Sequence, residues 1–188
     1  MKKIKIPGFG QRGFKTALTT MLCAFLYALI GRNPTFACIG VIFGMGSNLK
    51  DSILNGGNRL IGTIIGGFLG IGLFTIYIYV FHASNEFLLL PLLGIGTLLL
   101  VSLSLIFKWP GAVQPGGVVL CIILYNTASE LYVTYSLNRM FDTGVGVVLA
   151  IVINVIFSRT AVNQFLHRIG LINLDEYSFD ESEIKSNV

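Results

Sequence analysis

The sequence predicts an all-α integral membrane protein whose six transmembrane helices form two inverted three-helix repeats. Three observations lead there. Of 188 residues, 54% are hydrophobic and 12% charged, with a mean hydropathy of +0.78. That is about half the charge that covers a soluble domain. Apolar runs recur along the chain, and a residue pattern repeats within it at an offset of 80. This composition excludes a soluble enzyme, a disordered chain and a nucleic-acid-binding module, despite a pI of 9.1.

The elements follow in order. Residues 1–14 form a basic N-terminal segment. Spans are expected at about 15–30, 34–46, 60–81, 87–107, 112–127 and 140–157. A helix needs about 20 apolar residues to cross a hydrocarbon core of about 30 Å. Span 2 is short, and span 5 is interrupted by Pro115-Gly116-Gly117. Barrel-type alternation is absent, so helices must satisfy the backbone in lipid. Span 1 follows Met1-Lys2-Lys3 as a signal peptide would, but Thr35-Phe36-Ala37 is a poor cleavage site, and the segment is read as retained. The membrane domain is 15–158, with halves at about 15–81 and 87–158. The tail, 159–188, starts with Val162, Phe165, Leu166 and Ile169 at helical spacing, an amphipathic pattern suited to a membrane surface. It then turns acidic through Asp175, Glu176, Asp180, Glu181 and Glu183.

Charge sets the expected orientation. With the N-terminus inside, Lys2, Lys3, Lys5, Arg12, Lys15, Lys50, Arg59, Lys108, Arg159, Arg168 and Lys185 are cytoplasmic, against Arg32 and Arg139 outside. Lys and Arg concentrate on cytoplasmic loops, so both termini are placed in the cytoplasm.

The repeat relates Asn58-Arg59-Leu60-Ile61-Gly62-Thr63-Ile64-Ile65-Gly66 to Asn138-Arg139-Met140-Phe141-Asp142-Thr143-Gly144-Val145-Gly146. Gly70 corresponds to Ala150, and Pro34 lies near the counterpart of Pro115. Three spans per copy invert the second copy, an arrangement that transporters build around a midplane site. It starts span 3 at the cytoplasmic face with Asn58-Arg59, and span 6 at the outer face with Asn138-Arg139. Broken or short helices at matching positions, spans 2 and 5, point to a substrate site, because a helix N-terminus attracts anions. Tight packing explains the same glycines equally well.

Two readings stand for Arg59: a snorkelling anchor aided by Asn58, or a ligand whose planar fork matches a carboxylate. Arg139 lies against the charge bias. It is expected to pair with Asp142 three residues on, a pair that would serve as an outer gate. Asp142 and Glu130 are the carboxylates placed to carry a proton, with salt bridging the plainer role. Asn58, Asn138, Gln114 and Lys15 complete the candidate substrate-binding set, although Lys15 also serves orientation and Gln114 also serves helix packing. Thr63, Thr143, Asn126 and Asn154 are read mainly as packing groups. Gly62, Gly66, Gly70, Gly146 and Ala150 are helix-packing positions, joining the repeats or two protomers. Cys23, Cys38 and Cys121 read as small apolar residues. His82 and His167 belong to no catalytic set, and no metal site, cofactor site or ATP-binding loop is expected.

These residues resemble the aromatic acid exporter family, related to the fusaric acid resistance proteins. The resemblance rests on Arg12-Gly13-Phe14-Lys15-Thr16-Ala17, then Asn33-Pro34-x-x-Ala37, then the two Asn-Arg segments leading to Ala150 and Asn154. It covers about residues 10–160. It implies a multi-pass protein of the bacterial cytoplasmic membrane that exports organic anions, aromatic carboxylates above all. Distant likeness to plant malate channels implies a passive anion channel as an alternative, and a non-transporting scaffold subunit is a second alternative. Family members carry a cytosolic domain or a second membrane module after the six spans. Here about 30 residues follow, so self-association is expected. The partners implied are the lipid bilayer, a small organic anion and a second copy as a homodimer; no nucleic acid is expected.

Overall fold

Length divides the helices into two kinds. The computed structural model describes residues 11–82 and 85–157, which fold as α1 (Gln11–Leu29), α2 (Thr35–Gly44), α3 (Leu49–Tyr79), α4 (Leu89–Ile106), α5 (Val113–Asn126) and α6 (Tyr132–Ile156). Single 3₁₀ turns, Glu86–Leu88 and Pro110–Ala112, lead into α4 and α5. Among the described residues there is no strand. Three helical stretches are long and apolar enough to cross a membrane: Leu49–Tyr79, Glu86–Ile106 and Tyr132–Ile156. Gly13–Leu29, Thr35–Gly44 and Pro110–Asn126 are shorter. At 1.5 Å per residue the ten residues of α2 rise about 15 Å, half of a hydrocarbon core. The expected Lys2, Lys3, Lys5 and Arg159 flanks, the 162–169 helix with His167 and Arg168, and the acidic tail with Lys185 lie outside the described residues.

Local chemistry explains the helix ends. Gly31 closes α1 with a positive φ of 63°. The Arg32 N–H reaches the Tyr27 carbonyl and the Gly31 N–H reaches that of Ala28, a Schellman motif that needs glycine at this position. Asn48 starts α3: its side-chain oxygen accepts from the Asp51 N–H at 2.8 Å, and Asp51 sits at the positive end of the helix dipole. Thus α3 begins eleven residues before the expected start of span 3, and α6 begins eight before that of span 6. The polar residues Asn55, Asn58 and Arg59, and likewise Asn138 and Arg139, interrupt the apolar runs without interrupting the helices. Neither Asn-Arg pair therefore starts a helix. Pro115 does not break α5 either. It is the helix's third residue, where an N–H has no intrahelical partner to lose, and Gly116-Gly117 continue the helix.

α3 and α6 cross at the centre, antiparallel. A side chain at Gly67 would meet Met140, one at Gly144 would touch Leu60, and one at Gly56 would meet Val147. This register sets Gly62 opposite Asp142. The middle helices pack across: α2 lies on α6 and α5 on α3. Each contact is made backbone to backbone. A Cβ at Gly146 would fall on the Ala37 carbonyl, and one at Gly66 on the Gly116 carbonyl. Further along, Gly44 sits against Ala150 and Gly70 against Ile123. Gly66 and Gly146 thus meet the middle helices in the same way, through Gly116 and Ala37. The glycine line of α3 is used within the chain, joining it to α5.

Two apolar cores result. One combines Leu73, Phe74 and Tyr77 of α3 with Leu89 and Leu92 of α4 and Val119, Leu120, Ile123 and Leu124 of α5. The other combines Cys23 and Tyr27 of α1 with Ala37 and Val41 of α2, and Val145 and Leu149 of α6 pack against it. Each half contributes its third helix to the other half's core. α1 and α4 turn broad apolar faces outward, among them Phe14, Met21, Phe25, Leu90, Leu98 and Ile106. Asn154, read as a packing group, donates to Ser52 Oγ at 2.8 Å, and Ser52 Oγ also accepts from the Gly46 N–H at 2.7 Å. This buried network pins the α2–α3 turn to the end of α6.

Candidate functional site: a cationic cavity and a distal ion pair

A cavity of about 640 Å³ opens where the α2–α3 and α4–α5 connections meet. Ile42 and Phe43 of α2, Asn55, Asn58 and Arg59 of α3, Gly111, and Gln114, Pro115 and Val118 of α5 line it. Glycine shapes this end of the body. Gly57 packs under the Trp109 ring, and Gly111 lies against the Asn58 amide. Three of the expected substrate-binding residues, Asn58, Arg59 and Gln114, meet here. They come from two helices that the glycine contacts hold together.

Arg59 dominates the cavity's charge. Its guanidinium carbon stands 4.8 Å from the centre of the Phe43 ring. Among the described residues no carboxylate pairs with it, and its buried Nε has no hydrogen-bond partner. Arg59 lies ten residues into α3, one turn from the Gly62–Asp142 level, with its Nε buried. The cavity also lies at the N-terminal end of α5, the positive end of that helix dipole. Cation, dipole and amides converge on one space, and among the described residues no carboxylate lines it.

The other candidates stand elsewhere. Arg139 is 2% exposed. Its Nη1 donates to the Tyr135 hydroxyl at 2.9 Å, and its guanidinium carbon lies 4.4 Å from the Phe36 ring centre. The expected Arg139–Asp142 pair does not form. Asp142 instead pairs with Arg32 Nε at 2.9 Å and accepts from the Tyr27 hydroxyl at 2.9 Å. Asn138 accepts from Arg32 Nη2 at 2.9 Å, and Arg32 also stands 5.2 Å from the Phe141 ring. The Schellman turn at Gly31 aims Arg32 at Asp142, and this long-range contact outcompetes the local one. Lys15 donates to the Phe157 carbonyl at the end of α6, far from both groups. Thr63 and Thr143 are both buried at the helix crossing.

Arg59 and Arg139 feel one another's charge. Each lies one turn from the crossing level, on opposite sides of it, about 9 Å apart along the axis. Among the described residues no carboxylate pairs with either arginine, and Asp142 is engaged by Arg32. Arg32 is therefore expected to be a structural partner. Arg32→Gln should lower stability by about 1–3 kcal/mol, between the worth of an exposed and of a buried pair, since Asp142 is buried but Arg32 is half-exposed. Thermal unfolding in detergent measures it; a melting temperature equal to the parent's would contradict the assignment.

Sequence reasoning missed Phe36, Phe43, Asn55, Tyr135, Tyr27 and Arg32. Two signals were available. Phe36 and Phe43 are seven residues apart, on one face of a helix, and Tyr135 precedes Arg139 by four.

Three helices long and apolar enough to cross a membrane, beside a cavity with a charged and an aromatic lining, fit the class of helical membrane proteins. Residues 8–157 match the family model described as aromatic acid exporter family member 1. The chain belongs to the aromatic acid exporter family, a family of transporters and not of enzymes. Comparison with curated proteins and with solved structures gives no match.

Proposed function

We propose that this protein exports organic monoanions, aromatic carboxylates in particular, across the cytoplasmic membrane, and that it loads them at Arg59. One observation carries the reading: a guanidinium without an anionic partner, stacked on an aromatic ring, in an open cavity of about 640 Å³ edged by Asn55, Asn58 and Gln114. Arg59 supplies the fork for a carboxylate. Phe43 supplies a face for an aromatic ring. The amides take polar substituents.

The body lies in the membrane as two inverted repeats, with both termini cytoplasmic. Support comes from the paired contacts, Gly66 with Gly116 and Gly146 with Ala37, and from the two cores that exchange third helices. With Arg59 and Arg139 both well inside helices, the remaining Lys and Arg divide ten to one in favour of the cytoplasmic side, counting all 13 of the chain. The cavity then opens inward and the Arg32–Asp142 pair closes the outer end, a loading state. Two copies associate through lipid-facing surface such as the apolar faces of α1 and α4.

Flux tests the reading. Proteoliposomes containing the protein should release preloaded benzoate faster than empty vesicles, with saturation, and with or without a pH gradient. Non-saturating flux would make the protein a channel. No flux, together with capture of a stable membrane partner, would make it a scaffold.

A further inference from the structure

We propose a second carboxylate station at Arg139, reached from the first along one face of α2. The inference rests on the reading of Arg59 as the loading ligand and extends it to the route. Phe36 and Phe43 are two turns apart on α2, about 10 Å. Each carries a guanidinium over its ring: Arg139 at 4.4 Å from Phe36, Arg59 at 4.8 Å from Phe43. Two arginines from opposite halves of the chain thus stand on the same aromatic strip of a single short helix. The strip runs from the open cavity toward the end closed by Arg32 and Asp142.

Arg139 is built to receive an anion. It is buried, yet it has no acidic partner among the described residues, and its one hydrogen bond goes to a neutral phenol, Tyr135. Asp142, the nearest carboxylate on its own helix, is held by Arg32 and Tyr27. Asn138, its sequence neighbour, is likewise held by Arg32. The site at Arg139 is closed in this state, while the site at Arg59 is open. An aromatic carboxylate leaving Arg59 finds the next cation and the next ring at the spacing of two helical turns. Mutual repulsion of the two arginines favours an anion at either one. No bond is made or broken; the anion exchanges one guanidinium for the other. The cavity residues bind from the inner side, and Arg139, Phe36 and Tyr135 bind from the outer side once the distal pair opens.

The test separates the two faces. Flux of radiolabelled benzoate is measured in each direction, in proteoliposomes of defined orientation. Arg139→Gln should raise the half-saturating benzoate concentration at the outer face at least tenfold and leave the inner face within twofold. Arg59→Gln should do the reverse. Arg139→Lys, which keeps the charge, should recover part of the outer-face loss. Phe36→Leu, which leaves both arginines, should weaken outer-face benzoate more than outer-face acetate. Unchanged outer-face saturation in Arg139→Gln, with Arg59→Gln still impaired, overturns the second station and leaves the loading site standing. Unchanged saturation in Arg59→Gln overturns the reading beneath it. Equal loss at both faces in Arg139→Gln, with a lowered melting temperature and no selective effect of Phe36→Leu, makes Arg139 a brace and ends the proposal.

Discussion

Arg59→Gln is expected to weaken carboxylate binding about a hundredfold and to leave the folded body at least as stable as before. The two halves of that statement have one cause. The guanidinium sits over Phe43 with a buried Nε that nothing accepts from. An unsatisfied buried donor costs about 1–3 kcal/mol, so the folded protein gains from its removal. A carboxylate in the cavity would satisfy that donor and the charge together. Losing a charged, desolvated partner costs a ligand about 2–5 kcal/mol, and 2.8 kcal/mol is a hundredfold. Equilibrium binding of benzoate to the detergent-purified protein, measured beside thermal unfolding, checks both. A variant that unfolds early while binding benzoate normally would show Arg59 to be scaffolding. A residue that destabilises the empty protein and stabilises the filled one is the pattern expected of a ligand-binding group.

The second large effect concerns the fold. Gly146→Ala should cost about 2 kcal/mol or more, and Gly146→Val should prevent assembly. A Cβ at Gly146 collides with the Ala37 carbonyl, and at the same crossing a Cβ at Gly40 would come within 2.8 Å of the Thr143 carbonyl. Backbone atoms cannot swing aside as a side-chain end can. The helices must separate instead, and inserting atoms into a tight contact costs about 1–3 kcal/mol. For a chain of this size 1 kcal/mol moves the melting temperature by roughly 2–4 °C. Two controls make the result specific. At Gly67 the obstruction is the far end of Met140, and at Gly72 the space is empty. Gly67→Ala should be mild and Gly72→Ala neutral. If all three behave alike, backbone contact is not what holds α2 to α6.

The sequence made the helices legible and their ends less so. Hydropathy located all six because each contains an apolar run. It misplaced the starts of α3 and α6 because Arg59 and Arg139 are polar residues in helix interiors, where a window of apolar residues sees a gap. The capping signal was present in Asn48-Leu49-Lys50-Asp51 and marks the true start of α3. The packing glycines were legible because a small residue every fourth position leaves a smooth face whatever lies opposite. Arg59, Asn58 and Gln114 were nameable as candidates by chemistry alone. That they share a cavity was not, since only the α3–α5 crossing brings them together. The pairing of Asp142 failed for a related reason. Spacing proposed a neighbour three residues away, but a turn fixed by Gly31 delivered Arg32 from more than a hundred residues away.

The bare crossings have a mechanical consequence. Helices that meet through interleaved side chains must lift their ridges out of grooves before they can turn. Where Gly66 faces Gly116 and Gly146 faces Ala37, no side chain stands between the backbones, and each crossing offers a smooth point about which the pair can pivot. Resistance to rocking then falls to the polar ties at the ends of α6, the Arg32–Asp142 pair at one and the Asn154–Ser52 bond at the other.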